Sequence, residues 1–206
     1  MSNDYRCTDY CPTYNNFQRK HRIYTRNFIN RHPTAENHYS IINDQSSEEF
    51  SKFRKLFNCK CVYCGVSDEI NQEFEIDHFK CRENEGLDHI DNLLYSCKKC
   101  NRAKSKHHFS TEYEQILMPI TNIQNIFVRN LEYSITIKNQ YNQDNAIIDF
   151  YNDIKFSDDV RRLDYLLMNL IGLRKKVRND NISQKLGDCV CTLILKRNQI
   201  LHNSED

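Results

Sequence analysis

The amino-acid sequence predicts an α+β protein with a small cysteine-rich core, an N-terminal arm and a helical C-terminal extension. Two C-x2-C pairs, which begin at Cys61 and Cys97, are separated by 32 residues. Between them the string FEIDHFK, residues 74–80, alternates apolar and polar side chains, as a strand with one buried face does. Residues 157–201 instead repeat apolar side chains at helical spacing. These three patterns together indicate a mixed fold.

The composition is that of a folded globular protein. Of 206 residues, 39% are hydrophobic and 28% are charged, and the low numbers of Gly (4) and Pro (3) exclude fibrous and low-complexity classes. The formal net charge is only +1, so a nucleic-acid surface requires local segregation of charge. Residues 17–32 and residues 97–108 each hold five Lys or Arg and no acid. No apolar run resembles a signal peptide or a membrane span, which predicts a cytoplasmic protein without membrane contact.

We divide the chain into three parts. Residues 1–45 form a basic and aromatic N-terminal arm, residues 46–118 form the core, and residues 119–206 form a strand pair followed by a helical region. The core begins with a predicted helix, for which Ser46 and Glu49 have the spacing of a capping box.

The third part contains two kinds of element. The strings NIFVRN and EYSITIKN predict paired strands, with Tyr133, Ile135 and Ile137 on one face. Residues 157–201 then predict two helices that pack as a hairpin.

The two C-x2-C pairs predict a structural zinc site, because four thiolates complete a tetrahedral Zn²⁺ shell and leave no open position. The predicted ligands are Cys61, Cys64, Cys97 and Cys100. Cys59 is an alternative to Cys61 in the string CKCVYC, but only Cys61 has the same two-residue spacing as the second pair. Cys7 and Cys11 have no assigned role, since a second metal site and ordinary thiols are both compatible with their spacing.

A further set of residues is not needed for zinc. Asp77 and His78 end the first predicted strand, Asn92 precedes the second, and Asn101 follows the last cysteine. With the two cysteine pairs, this order over about residues 59–106 resembles the HNH endonuclease family. The resemblance implies a ββα-metal core, and Asn101 stands where many members have a third histidine, so the chain is an H-N-N variant.

The resemblance assigns roles that suit the chemistry. His78 would take a proton from water, since an imidazole with the ordinary pKa of about 6.5 is largely neutral at cellular pH. Asp77 and Asn101 would offer hard oxygen ligands to one Mg²⁺ or Mn²⁺ ion. Asn92 would orient His78 through a hydrogen bond. Because adjacent strand residues face opposite sides, a twist or bulge is expected to bring Asp77 and His78 to one phosphate.

Nucleic-acid contacts are expected at two places. On the predicted helix after the second cysteine pair, Arg102, Lys104 and Lys106 can meet backbone phosphates. In residues 17–32, basic residues alternate with aromatic ones, which suits phosphate contact with stacking, although a solvated helix face is an equal alternative.

The leading hypothesis is a metal-dependent endonuclease that hydrolyses DNA, with RNA as an alternative substrate. The arrangement after the core, a strand pair followed by two apolar helices, is similar to HNH nucleases of bacterial defence, including Septu-type systems in which an ATPase accompanies the nuclease. A protein partner could dock on residues 157–201, or these helices could simply cover the core. The alternative function is a zinc-knuckle module that binds nucleic acid or acts as a scaffold without cleavage.

Overall fold

The computed structural model of the chain describes residues 4–10, 14–104 and 110–203. The described helices are α1 Phe17–Arg31, α2 His38–Ile42, α3 Glu48–Leu56, α4 Lys98–Lys104, α5 Thr111–Leu117, α6 Asn145–Asp153, α7 Asp159–Arg174 and α8 Asp180–Asn203. The described strands are β1 Phe74–His78, β2 Leu93–Cys97, β3 Phe127–Arg129 and β4 Ile135–Ile137. The α+β prediction is therefore confirmed. None of the described helices is long and apolar enough to cross a bilayer.

Strands β1 and β2 form an antiparallel pair, and α4 follows β2 directly. The register runs from Phe74 opposite Cys97 to His78 opposite Leu93. Every residue of β2 is buried, so this strand lies inside the molecule and not at its surface. The predicted order of knuckle, strand, loop, strand and basic helix is confirmed.

Helix α3 begins one residue later than the capping box predicts. The N-cap is Ser47, whose Oγ accepts a hydrogen bond from the backbone N–H of Phe50 at 3.0 Å. The Ser46 hydroxyl donates instead to Asp44 Oδ1 at 2.6 Å. The Ser46 prediction was wrong because Asp44 and the turn before the helix capture that hydroxyl.

Residues 4–10 pack against the first cysteine pair. Arg6 is buried and its Nη1 donates to the carbonyl oxygens of Val62 and Pro119, both at 2.8 Å. The Tyr5 hydroxyl donates to the Tyr63 carbonyl oxygen at 2.6 Å. This segment thus supplies hydrogen-bond donors to the backbone carbonyls of Val62, Tyr63 and Pro119.

The C-terminal part has one strand pair, one unpredicted helix and a helical hairpin. Strands β3 and β4 pair antiparallel, as predicted. Tyr133 does not share their face, because it lies in the connecting turn with φ 67° and is 47% exposed. Helix α6, which the sequence interpretation missed, buries Ile147 and Phe150. Helices α7 and α8 pack against each other, which confirms the hairpin.

Replacing Arg6 by Met tests how strongly the N-terminal segment is held. The change removes the charge that pairs with Asp4 at 2.7 Å and leaves the Val62 and Pro119 carbonyls without this donor. Because loss of one partner of a buried pair is strongly unfavourable, we expect the free energy of unfolding to fall by about 3 kcal/mol. Urea unfolding measures it. Arg19→Met, at an exposed position, is the control and should change stability by less than about 0.5 kcal/mol. Equal effects would contradict the role given to Arg6.

Candidate active site and metal centre

Four cysteine thiols converge at the centre of the core. The Sγ atoms of Cys61, Cys64, Cys97 and Cys100 all lie within 4.8 Å of one another and all four residues are buried. The Sγ atoms of Cys64 and Cys97 are 3.9 Å apart. Tetrahedral zinc with bonds of about 2.3 Å would place its sulfurs about 3.8 Å apart, so the cluster fits this ion. Cys61, and not Cys59, belongs to the cluster.

The first cysteine pair is shaped by a tight turn. The Gly65 N–H donates to the Cys61 carbonyl oxygen at 2.9 Å, and the Cys61 N–H donates to the Val66 carbonyl oxygen at 2.8 Å. Gly65 has φ +80°, and a Cβ there would collide with the backbone of Arg6. Val62 N–H bonds to the Tyr95 carbonyl oxygen at 3.0 Å, which fastens the turn to β2. The turn therefore points both thiols toward the second pair.

A buried arginine of α7 contacts the thiol cluster. Arg161 Nη1 lies 3.6 Å from Cys97 Sγ, and Nη2 lies 3.3 Å from the Ile154 carbonyl oxygen. A zinc ion with four thiolates has a net charge of −2, so a guanidinium beside one sulfur stabilises it. Sequence reasoning missed this contact, although an arginine next to Val160 inside an apolar helical stripe was a usable signal.

Asp77 is 3% exposed and lies on the face of β1 that packs on α4. The Tyr63 hydroxyl donates to Oδ2 at 2.7 Å, and Lys104 Nζ lies 3.2 Å from Oδ1. Burial raises the pKa of the Asp77 carboxyl, and the Lys104 ammonium opposes that change. Asp77 is thus a buried carboxylate that forms an ion pair with Lys104.

Lys104 differs from its expected role as a phosphate contact. It is 2% exposed, and its Nζ also donates to the carbonyl oxygens of His78 at 2.8 Å and Phe79 at 3.1 Å. The ammonium therefore fixes the end of β1 from inside the core. Lys104 lies four residues after the buried Cys100 on α4, so both side chains share the helix face that packs against the core, which the charge pattern alone did not reveal.

His78 points away from Asp77. Its Nε2 lies 2.7 Å from Asp88 Oδ1, and its ring stacks on Tyr39 with centroids 4.8 Å apart. Arg82 Nε donates to the same Asp88 oxygen at 2.8 Å. Asp88 was missed by sequence reasoning, because only closure of the loop after β1 brings it back to the imidazole.

The expected bulge at the end of β1 is wrong. The pairing of β1 with β2 continues without interruption through Asp77 opposite Leu94 and His78 opposite Leu93. In a regular strand consecutive side chains face opposite sides. The two functional groups are therefore held by separate sets of partners, Lys104 on one face and Asp88 on the other.

Asn92 closes the loop between the strands. Its Oδ1 accepts from the Lys80 N–H, and its Nδ2 donates to the carbonyl oxygens of Lys80 and Leu87, each at 2.9 Å. The expected hydrogen bond to His78 is replaced by these backbone bonds. Asn92 thus fixes the chain two residues beyond the imidazole and positions His78 indirectly.

Asn101 is oriented by a second acid that the sequence interpretation did not select. Its Nδ2 donates to Glu75 Oε2 at 2.8 Å. Because a carboxylate accepts only, the amide nitrogen must face Glu75, and the Asn101 oxygen is directed elsewhere. Arg102 is exposed, with Nη2 4.0 Å from Glu75 Oε1. Lys106 lies outside the described residues.

The proposed ligands of a divalent ion fit such an ion only in part. Asn101 offers an amide oxygen without a recorded hydrogen bond among the described residues. Both oxygens of Asp77 already have partners, and the carboxylate is balanced by Lys104. In this arrangement Asp77 and Asn101 do not form an open oxygen site, since a second cation at Asp77 requires the ammonium to leave.

Comparison with known proteins identifies the central segment. Residues 61–107 match the family model described as HNH endonuclease. This segment contains the four clustered cysteines and all four predicted catalytic residues, so the resemblance found in the sequence is confirmed.

Two curated proteins are similar to the chain. The Septu protein PtuB of Bacillus mycoides (strain KBAB4) is 30% identical over 91 residues, covering 37% of this chain and 30% of that protein. The SPbeta prophage-derived protein YoqL of Bacillus subtilis (strain 168), described as a proposed HNH endonuclease, is 26% identical over 106 residues, covering 47% and 42%. The chain spans less than half the length of these relatives. No solved structure gives a significant match.

Replacing Cys64 by Ser tests the metal centre. We expect the wild-type protein to contain about one zinc per chain, and the variant to lose the metal and unfold at a lower temperature, because binding at such a site is coupled to folding. Elemental analysis and thermal melting measure both. Cys189→Ser is the matched control, since Cys189 is exposed on α8. If both variants keep zinc, the four-cysteine assignment is wrong.

Replacing Lys104 by Met tests the buried ion pair. The variant keeps the length of the side chain but leaves the Asp77 carboxylate without its cation, so the free energy of unfolding should fall by about 3 kcal/mol. Chemical denaturation measures it. Lys196→Met on the exposed side of α8 is the control. A Lys104 variant as stable as this control would show that the ammonium does not support the fold.

Proposed function

Starting from the HNH endonuclease domain at residues 61–107, we propose that the chain is a metal-dependent endonuclease that hydrolyses phosphodiester bonds of DNA, with His78 as its general base. The observation that carries this proposal is the contact of His78 Nε2 with Asp88 at 2.7 Å within that domain. A histidine oriented by a carboxylate is suited to accept a proton.

The Asp88 contact supports separate roles for the two ring nitrogens of His78. With Nε2–H donating to Asp88, the lone pair of Nδ1 is available to take a proton from water. Asp88 also stabilises the imidazolium that results, as a carboxylate does in other acid–base pairs. Tyr39 restricts rotation of the ring by stacking on it, and Asn92 fixes the loop that follows. These groups together hold the base ready for reaction.

Two metals complete the proposal. Zinc at the four cysteines would have a structural role, because no ligand position remains open. Asp77 and Asn101 remain the candidate ligands of a catalytic Mg²⁺ or Mn²⁺ ion, on the condition that Lys104 leaves Asp77. Such an ion, when bound, neutralises charge on the phosphate and on the departing oxygen. Arg102, exposed on α4, and Lys106 are proposed to contact neighbouring phosphates.

A role in bacterial defence is the biological setting we propose. The support is the similarity to a protein named for the Septu system and to a prophage-derived protein. In that setting an ATPase subunit is the proposed partner and the cytoplasm the proposed location.

Cleavage of supercoiled plasmid with added Mg²⁺ or Mn²⁺ tests the function. We expect His78→Ala to reduce the rate by at least about 100-fold, since general-base catalysis contributes that much. Asp88→Asn should reduce it by about 10-fold or more, because the carboxamide holds the imidazole without stabilising its charged form. His202→Ala, on the exposed surface of α8, is the matched control and should cleave as the wild type does.

Two results would contradict the proposal in different ways. Equal activity of His78→Ala and wild type would show that another group is the base. Binding of DNA by the zinc-loaded wild type without cleavage in any divalent ion would favour the alternative, a nucleic-acid-binding or scaffold module.

A further inference from the structure

Helix α1 carries a row of exposed cations. Arg19, Lys20, Arg22 and Arg26 are exposed, and none has a recorded hydrogen bond or ion pair within the described part of the chain. Arg31, at the end of the same helix, pairs with Glu49 at 2.8 Å. The row is therefore a concentration of positive charge that the fold itself does not neutralise.

These cations border a groove between α1 and residues 118–121. One part is a cavity of about 510 Å³ lined by Arg22, Arg26 and Ile120, among others. A second cavity of about 520 Å³ shares Ile120 with the first and adds Arg19 and Lys138 to the lining. The two cavities share the lining residues Ile120 and Thr121, so they lie next to each other along the helix. We call it the α1 groove and define it by Arg19, Arg22, Arg26, Ile120 and Thr121.

A buried histidine lines the same groove. His21 is 5% exposed, and its Nε2 has no hydrogen-bond partner among the residues that the structure describes. Burial lowers the pKa of His21 to about 4, so the ring is neutral at neutral pH. An unpartnered buried nitrogen is unfavourable, and a ligand in the groove with hydrogen-bonding oxygens would give it a partner.

Two acids of the described chain lie at the groove, and only Asp4 is neutralised by a cation, whereas Asp91 keeps its negative charge. Asp91 Oδ1 accepts a hydrogen bond from the Thr25 hydroxyl at 3.1 Å, and Asp4 pairs with Arg6 at 2.7 Å. Asp91, which lines the groove, immediately precedes Asn92 in the loop between β1 and β2. The α1 groove thus reaches the loop that follows His78.

We propose that the α1 groove binds the phosphate backbone of duplex DNA, as a contact separate from the active site; this inference rests on the proposed function. From Arg19 to Arg26 the helix rises about 10 Å. This is the axial length of about three phosphates on one strand. Guanidinium groups pair well with phosphate oxygens, and phosphate contacts carry no sequence information, so we expect this contact to be independent of sequence.

Fluorescence anisotropy with a labelled 20-base-pair duplex, without added divalent ions and over a range of salt concentrations, tests the proposal. We expect Arg22→Gln/Arg26→Gln to lower the slope of log affinity against log salt by about 2, close to 0.9 for each lost phosphate contact. Lys185→Gln/Lys196→Gln removes the same charge from the exposed surface of α8 and should leave the slope unchanged. Circular dichroism of each variant confirms that it is folded.

The outcomes separate this proposal from the proposed function. Equal slopes for both double variants, no duplex binding by the wild type, or binding of RNA alone would each overturn the groove assignment. A slope that falls only for Arg22→Gln/Arg26→Gln supports it, even if the wild type then fails to cleave plasmid. Cleavage by the groove variant with wild-type affinity for the duplex would overturn the groove and leave the nuclease intact.

Discussion

The convergence of four thiols is the constraint on which the rest of the structure depends. It joins the turn at Cys61 to the end of β2 and the start of α4, and other parts of the chain then pack around it. Arg6 bonds to the backbone of the first cysteine pair from the N-terminal side. Arg161 contacts Cys97 from α7. Segments far apart in sequence are thereby ordered by one small cluster.

The cluster also anchors the two-stranded sheet that holds the candidate catalytic residues Asp77 and His78. An isolated strand pair is only marginally stable in water, so β1 and β2 need support from both faces. Lys104 supports one face by pairing with Asp77, and Asp88 holds His78 on the other. The strand therefore separates a buried carboxylate from the imidazole that we propose as the base. Asn92 then links the two ends of the connecting loop by its hydrogen bond to the Lys80 carbonyl oxygen.

The charges of the chain fall into two groups with different uses. Buried cations such as Arg6, Lys104 and Arg161 bond to carbonyls, a carboxylate and a thiol, and they support the fold. Arg19, Arg22 and Arg26 of α1 have no such partners among the described residues, and they border a groove that reaches the loop between β1 and β2. With a net charge of only +1, this segregation is what gives the protein a basic surface.

The sequence by itself determined the α+β class, the ββα order of the core, the helical hairpin and the four cysteines that meet. Spacing carries this information, because a C-x2-C turn, a strand period and a helix period are local. Only the tertiary structure decided which groups accompany Asp77 and His78. Lys104 is buried rather than exposed, and Asp88 contacts His78 across a loop. Both contacts depend on how segments distant in sequence pack against each other. For that physical reason, local spacing could not reveal the partners of Asp77 and His78.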